Sequence, residues 1–264
     1  MREGLIIEKD GRFAEIAPLP SIIQRGQETL DEALNDLRTS LQSGTPPNCP
    51  SVRFGLFCLQ YPLQNVHLPL CALGPREGFS TIKLKVGHLP IQEAIDQAKK
   101  YKHLKLRLDC NQAWSLAEAL HFASHFSPAD FDYLEEPLRS WDELIQFSHI
   151  TKMPIALDES DCNERLQIPT LKAVVVKPTC KGTIPHLAPH LQLILSSSFE
   201  SGIGLLHIAR IAQHINPTSP IGLDTTQFFD DNLLTHPIVC AANTFSWNNS
   251  SSPVHMDKLC PVVL

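Results

Sequence analysis

Residues 81–109 read TIKLKVGHLPIQEAIDQAKKYKHLKLRLD. The runs at 81–86 and 104–109 are short and mostly apolar. Between them, residues 91–101 space their apolar side chains as one face of a helix does. Strand, helix and strand in about thirty residues is the crossover unit of a parallel sheet. The same rhythm extends in both directions. HLPLCAL (67–73) precedes it; FDYLEE (131–136), PIALDE (154–159), AVVVKP (173–178), LILSSS (193–198) and PIGLD (220–224) follow, with helical stretches at 116–126 and 141–150. Eight such runs predict a closed β/α barrel. An open doubly wound sheet is the alternative, but it normally carries a glycine-rich nucleotide turn, and no G-x-G-x-x-G occurs here. Two crossovers are thin: 160–174, and TCKGTIPHLAPH (179–190) with its two prolines. Their helices are expected to be shortened or irregular.

The chain before residue 67 reads differently. Residues 5–8 and 12–16 suggest two strands joined by Lys9-Asp10-Gly11. Residues 27–41 carry apolar side chains at 30, 34, 37 and 41, a helical spacing, and a proline-rich loop (44–50) leads to a second, buried helix over 51–63. This predicts a separate α+β unit over 1–66, a barrel over 67–226 and a C-terminal segment, 227–264, packing back toward the first unit.

Composition narrows the function classes. The 264 residues carry a net charge of −6, with no basic cluster beyond pairs such as Lys99-Lys100, which argues against a nucleic-acid partner. No apolar run is long enough for a membrane span, and the N-terminus lacks the apolar core of a signal peptide, so the expected location is the cytoplasm. Eight cysteines form no C-x-x-C pair and read as free, mostly buried thiols, with disulfides a minor alternative. Oligomeric state is not legible.

From the second run onward each strand ends in a polar or ionisable residue: Lys85, Asp109, Glu135, Asp158, Lys177, Ser196 to Ser198, and Asp224. Asp109, Glu135 and Asp158 lie 26 and 23 residues apart, about one strand–helix unit each. A barrel sets them side by side on one rim. Carboxylates so crowded repel unless a cation sits among them, and oxygen-only ligands suit Mg²⁺ or Mn²⁺. Lys83 and Lys85 flank Leu84 and so share the interior face of their strand. Lys177, after three valines, is expected to look inward too. Desolvation and a nearby metal can lower a lysine's pKa toward neutrality. A metal with lysines on either side of a bound carboxylate is suited to removing the proton α to it. A single aspartate after a strand is usually a loop residue or helix cap; the joint occurrence on consecutive units carries the chemical reading. His186 and His190 have i, i+4 spacing, but Pro185 and Pro189 argue against a helix and hence against a metal pair. Trp114 reads as a packing residue. Ser196 to Ser198, following a buried run, are expected to hydrogen-bond substrate.

TIKLKVG, RLDCNQAW, YLEEP, ALDES, VVVKPT, SSSFESGIGL and IGLDT together resemble the enolase superfamily, in its muconate-lactonizing-enzyme-like branch. Within it the chain looks most like the o-succinylbenzoate synthase family of menaquinone biosynthesis. The resemblance spans about residues 11–225 and includes AEIAPLP and PSVRFGL, typical of that family's capping domain. It implies a (β/α)7β TIM-like barrel with a reduced N-terminal α+β capping domain. It also implies a lyase that dehydrates 2-succinyl-6-hydroxy-2,4-cyclohexadiene-1-carboxylate, a small-molecule carboxylate. Asp109, Glu135 and Asp158 would bind Mg²⁺ (Mn²⁺ as an alternative). Lys85 would transfer the proton, with Lys83 supporting it, and Lys177 would stabilise the enediolate as a cation. Arg107 and Asn111 would line the site, and Ser196, Ser197 and Gly222 would contact the succinyl end. Against the family pattern, the chain is expected to start at the second strand and lack the lid loop, leaving a more open site. The rival functions are an N-acylamino-acid racemase or dipeptide epimerase with Lys85 and Lys177 as opposed bases, a degenerate non-catalytic barrel, and a Schiff-base barrel using Lys177, which leaves the carboxylates unexplained.

Overall fold

The structure, a computed structural model, describes residues 3–19, 28–158, 168–249 and 253–262. It begins with an antiparallel hairpin, β1 (Leu5–Lys9) and β2 (Arg12–Ile16). Asp10 (φ 53°) and Gly11 (φ 74°) are both left-handed, the backbone that a two-residue hairpin turn requires. The first helix, α1 (Leu30–Ser43), starts later than 27 because Thr29 and Glu32 form a reciprocal capping box there, and it ends at Gly44 (φ 71°). The second, α2 (Pro50–Cys58), is shorter than the expected 51–63. Tyr61 precedes Pro62, and a residue before proline is pushed out of helical geometry.

The run at 67–73 divides between two sheets instead of forming one barrel strand. β3 (Val66–Pro69) pairs antiparallel with β12 (Thr244–Trp247), which in turn pairs with β11 (Val239–Ala241). Only β4 (Ala72–Leu73) enters the barrel sheet. Pro69 has no N–H with which to continue a ladder. Just past it, Leu70 N–H donates to Asn243 O and Cys71 N–H to Ile221 O, so the chain changes partners here.

Seven parallel strands follow one another in sheet order as well as in sequence: β4, β5 (Thr81–Lys85), β6 (Lys105–Asp109), β7 (Phe131–Glu135), β8 (Ile155–Leu157), β9 (Leu171–Val176) and β10 (Gln192–Leu195). Helices α3 (Ile91–Tyr101), α4 (Leu116–Ala123) and α5 (Trp141–Thr151) make the first full crossovers. The last expected run, 220–224, supplies two bridging residues rather than a strand. Gly222 pairs in parallel with Ser196 beyond β10, and Ile221 with Leu70 before β4. That segment closes the curled sheet into an α/β barrel. Tyr133, Ala156, Ala173, Val175 and Ile194 cluster separately from the outer core, in which Leu84, Leu108, Leu134, Leu157, Val174 and Leu195 meet the helices. This is the period-two alternation of a strand covered on both faces.

The crossover from β9 to β10 is short, as its prolines predict. It consists of α6 (Pro178–Lys181) and then residues 182–190 without a helix. A surface cavity of about 830 Å³ lies there, against Leu191 and Leu193 and the flank of α7 (Gly202–Ile215) at Ile211 and Ile215. The β8–β9 crossover falls largely at 159–167, outside the described residues. Trp114 packs on Phe122, ring centroids 4.9 Å apart. Cys49, Cys58, Cys71, Cys110, Cys240 and Cys260 are free thiols; Cys162 lies outside the described residues. Among the described residues no helix is long and apolar enough to cross a membrane.

Candidate active site

Parallel register places the chemistry. Lys85, Asp109 and Glu135 are aligned across β5, β6 and β7, and Lys83, Arg107 and Tyr133 form the layer beneath them. Alternation then directs both layers inward, leaving Leu84 and Leu108 for the helices. Asp158 follows β8, and Lys177 follows β9. All of these line one cavity of about 740 Å³, together with Asn111, Ser196, Ser197, Gly222, and Leu19 and Pro50 from the N-terminal region.

The charges inside are interleaved. Lys83 Nζ lies 2.8 Å from Glu135 Oε1 and 3.0 Å from Asp109 Oδ2, and Lys177 Nζ pairs with Asp158 Oδ2. Burial and the neighbouring Asp109 and Asp158 outweigh Lys83 and raise Glu135 to about 8. Burial opposes the charge on Lys83, but Glu135, Asp109 and Asp158 together hold its pKa well above the ordinary lysine value. Lys177 is likewise raised: desolvation is overcome, chiefly by Asp158, whose own carboxyl is lowered because Lys177 and Lys83 outweigh its burial. The sequence suggested lysines with depressed pKa values. Without a metal the carboxylates dominate, and Lys83 and Lys177 stay firmly cationic.

Among the described residues no three His, Cys, Asp or Glu side chains converge into a closed metal cage, because the two ammonium groups lie between the carboxylates. The donor set nonetheless suits a hard divalent cation. It is all oxygen, and Glu135 Oε2 is buried with no hydrogen-bond partner among the described residues. An orphaned carboxylate oxygen in a site that raises its own pKa is under-neutralised, and a divalent ion would fit that deficit.

Arg107 lines the cavity, as expected of it, and is also anchored within the barrel. It is 1% exposed, with Nε donating to Asp132 Oδ2 at 2.8 Å and one terminal nitrogen donating to Pro220 O at 2.7 Å. Asp132 also pairs with Lys172 (2.8 Å) and Lys105 (3.3 Å). Two of the three guanidinium nitrogens therefore brace the barrel, and only the other is without a hydrogen bond. The serines are also engaged within the protein. Ser196 Oγ donates to Gly222 O, Ser197 Oγ bonds Thr225 Oγ1, and Ser198 donates to Glu200 through both N–H and Oγ. Gly222 must lack a side chain, since a Cβ there would lie 2.7 Å from Ser196 Oγ. His186 and His190 lie outside any helix.

A sequence profile of the enolase C-terminal domain-like family matches residues 72–176, which hold β4 through β9 and most of the site. The o-succinylbenzoate synthase of Vibrio cholerae serotype O1 is 34% identical over 303 aligned positions, covering 96% of this chain and 87% of that protein. The o-succinylbenzoate synthase of Yersinia pestis is 34% identical over 272 positions, covering 85% and 82%. The chain belongs to the o-succinylbenzoate synthase family of the enolase superfamily. Solved structures agree on the fold. The o-succinylbenzoate synthase of Thermosynechococcus elongatus, complexed with Mg in its active site, superposes with a TM-score of 0.66 at 24% identity, covering 84% of this chain and 85% of that one. The L-Ala-D/L-Glu epimerase of Bacillus subtilis gives 0.72 at 18% identity, covering 91% and 87%.

The alignment with the Vibrio member of the family has more positions than this chain has residues, so it opens gaps here. The roles of three residues escaped sequence reasoning. Asp224, a strand-end candidate, fastens the barrel closure: its Oδ2 accepts from Leu73 N–H at 2.9 Å and its Oδ1 pairs with Arg76 at 3.0 Å. Thr225 holds Ser197. Glu136, buried beside the carboxylate layer, joins neighbouring strand ends. The doubled glutamate at 135–136 was its only local signal.

Proposed function

We propose that this chain dehydrates 2-succinyl-6-hydroxy-2,4-cyclohexadiene-1-carboxylate to o-succinylbenzoate, the lyase step of menaquinone biosynthesis. Its 34% identity to o-succinylbenzoate synthases over nearly its full length is the observation that carries the reading. Lysines on well-separated strands around a carboxylate-lined cavity support it.

Asp109, Glu135 and Asp158 would hold Mg²⁺, with Mn²⁺ able to replace it. An ion held there would supply positive charge to offset the negative charge developing on the substrate carboxylate. Lys85, at the end of β5, accepts the α-proton. The C–H electron pair becomes the new ring double bond, the C–O bond at carbon 6 breaks, and Lys85 returns the proton to the departing hydroxide as water. No oxidant enters, since the loss of water alone aromatises the ring. Lys177, held cationic, faces the developing negative charge from the other side, and Lys83 supports the carboxylate layer. Asn111, Arg107 through its unbonded nitrogen, and Ser196, Ser197 and Gly222 on the β10 side shape the pocket for the ring and succinyl chain. In this reading the architecture is a (β/α)7β barrel over 67–226, with residues 1–66 as capping domain and 227–264 returning toward it.

The test is ultraviolet detection of the aromatic product with purified protein and synthetic substrate, with Mg²⁺ and with EDTA. Metal-dependent product formation is expected. Exchange of the substrate α-hydrogen with deuterated solvent and no aromatic product would replace dehydration by epimerase chemistry.

A further inference from the structure

Three consecutive strand ends, after β6, β7 and β8, must present Asp109, Glu135 and Asp158 at a common depth. Strand register settles the first two, but Asp158 lies one residue beyond β8, and after Asp109 and Cys110 come two left-handed residues, Asn111 (φ 49°) and Gln112 (φ 58°). Loop backbone of this kind needs bracing if the carboxylates it carries are to stay fixed.

Glu136 occupies the middle of this arc. It is 1% exposed and itself left-handed (φ 47°), a conformation that disfavours a side chain and persists only when surroundings impose it. One carboxylate oxygen, Oε2, accepts from Gln112 Nε2 at 2.9 Å, on the Asp109 side. The other, Oε1, accepts from the backbone N–H of Asp158 at 3.2 Å. Its backbone repeats the span: Gln112 N–H donates to Glu136 O at 2.6 Å, and Glu136 N–H donates to Ala156 O at 3.0 Å. Two of these bonds reach the strand end after β6 and two the end of β8, and each of those ends carries one of the three carboxylates.

We infer that Glu136 is the positioning residue of the divalent-metal site, bracing the Asp109, Glu135 and Asp158 strand ends without itself binding the ion. The inference rests on the metal assignment of the proposed function and goes beyond it by naming what fixes the ligands. Outer partners that orient ligands typically change metal affinity 10- to 100-fold when removed.

The experiment titrates metal-free protein with Mg²⁺ by calorimetry and, in parallel, melts each protein in EDTA. Glu136→Ala is expected to weaken Mg²⁺ binding about 10-fold or more. Glu136→Gln, which keeps an acceptor for Asp158 N–H, should recover most of that affinity. Gln112→Leu removes one arm and should fall between them. Leu144→Ala, in the outer core on α5, controls for general loosening. Mg²⁺ affinity in Glu136→Ala equal to native, or weakened no more than in a Leu144→Ala protein with the same loss of Tm, overturns the inference. If neither Glu136 variant folds, Gln112→Leu decides: native affinity overturns the inference, and a loss of about threefold or more supports it. Native protein that fails to bind Mg²⁺ overturns the functional reading as well, whereas native binding with unimpaired Glu136→Ala overturns this inference alone.

Discussion

His207 on α7 sits 2.8 Å, through Nε2, from the carbonyl oxygen of Phe13. A carbonyl only accepts, so Nε2 carries the hydrogen and the buried Nδ1 is left without a partner. Burial drives the pKa down to about 4, against an ordinary 6.5. The neutral form is therefore favoured in the fold, and its contribution is complete above pH 6.5 and lost as pH falls toward 4, where the unfolded chain binds the extra proton. Between pH 7 and pH 5 this linkage removes about 2 kcal/mol. Denaturant melts of native protein and His207→Gln should therefore converge as pH falls through that window; parallel curves would show that His207 is not the titrating group. The lysines are single-residue questions too. Lys85→Ala and Lys177→Ala should each lower kcat by about 10²-fold or more, the range for losing an acid–base or charge-stabilising group. Near-normal turnover of Lys85→Ala would remove it from proton transfer.

Among the elements, the junction of β2 with α7 bears most directly on the site, because α7 begins immediately after the loop carrying Ser196 to Ser198. Glu15, on β2, accepts from Ser201 N–H (2.9 Å), Ser201 Oγ (2.7 Å) and Gly204 N–H (3.0 Å). A carboxylate at a helix N-terminus satisfies donors that have no partner within the helix and meets the positive end of its dipole. Gly204 makes the approach possible, since a Cβ there would lie 2.5 Å from Glu15 Oε2. Glu15→Ala should cost about 1–3 kcal/mol, the range for hydrogen bonds to a charged group. Gly204→Ala should cost a similar amount through the clash. The double variant should lose less than the sum of the two, because the clash with the carboxylate disappears while the close approach to Glu200 Cβ (2.7 Å) remains. Urea unfolding of the four proteins measures this, and simple additivity would show that the glycine serves something else.

For the whole molecule, the proposed metal site makes stability depend on the ion. Glu135, raised to about 8, and the crowding around it are sources of stress in the metal-free fold that the unfolded chain does not share. An ion that binds the folded state alone stabilises it by mass action, by about 2.7 kcal/mol at a hundred times its Kd. Calorimetric melting in Mg²⁺ and then in EDTA should show a clear drop in Tm on chelation. The drop should be largely abolished in Asp158→Asn, which removes the charge of one of the three proposed ligands. An unchanged Tm on chelation would contradict a resident divalent site.

What the chain could state about itself was whatever repeats locally. Alternation along a strand directs Lys83 and Lys85 to one face, and a strand–helix unit of near-constant length delivers Asp109, Glu135 and Asp158 to one rim. Both follow from backbone geometry, so the barrel and the charged centre of its cavity were legible before any contact was known. The prolines at 185 and 189 announced the reduced β9–β10 crossover in the same way. Partnership between distant segments was not legible. β3 pairs with a strand almost 180 residues later. Two bridging residues close the barrel where a strand was expected. Asp132 gathers Arg107, Lys105 and Lys172 and makes the cavity-lining Arg107 a brace as well. The serines bond one another's neighbours, and Glu136 reaches to both sides. In each case a buried polar group had to find a partner wherever folding brought one. That choice depends on which surfaces meet in three dimensions, and no period in the sequence encodes it.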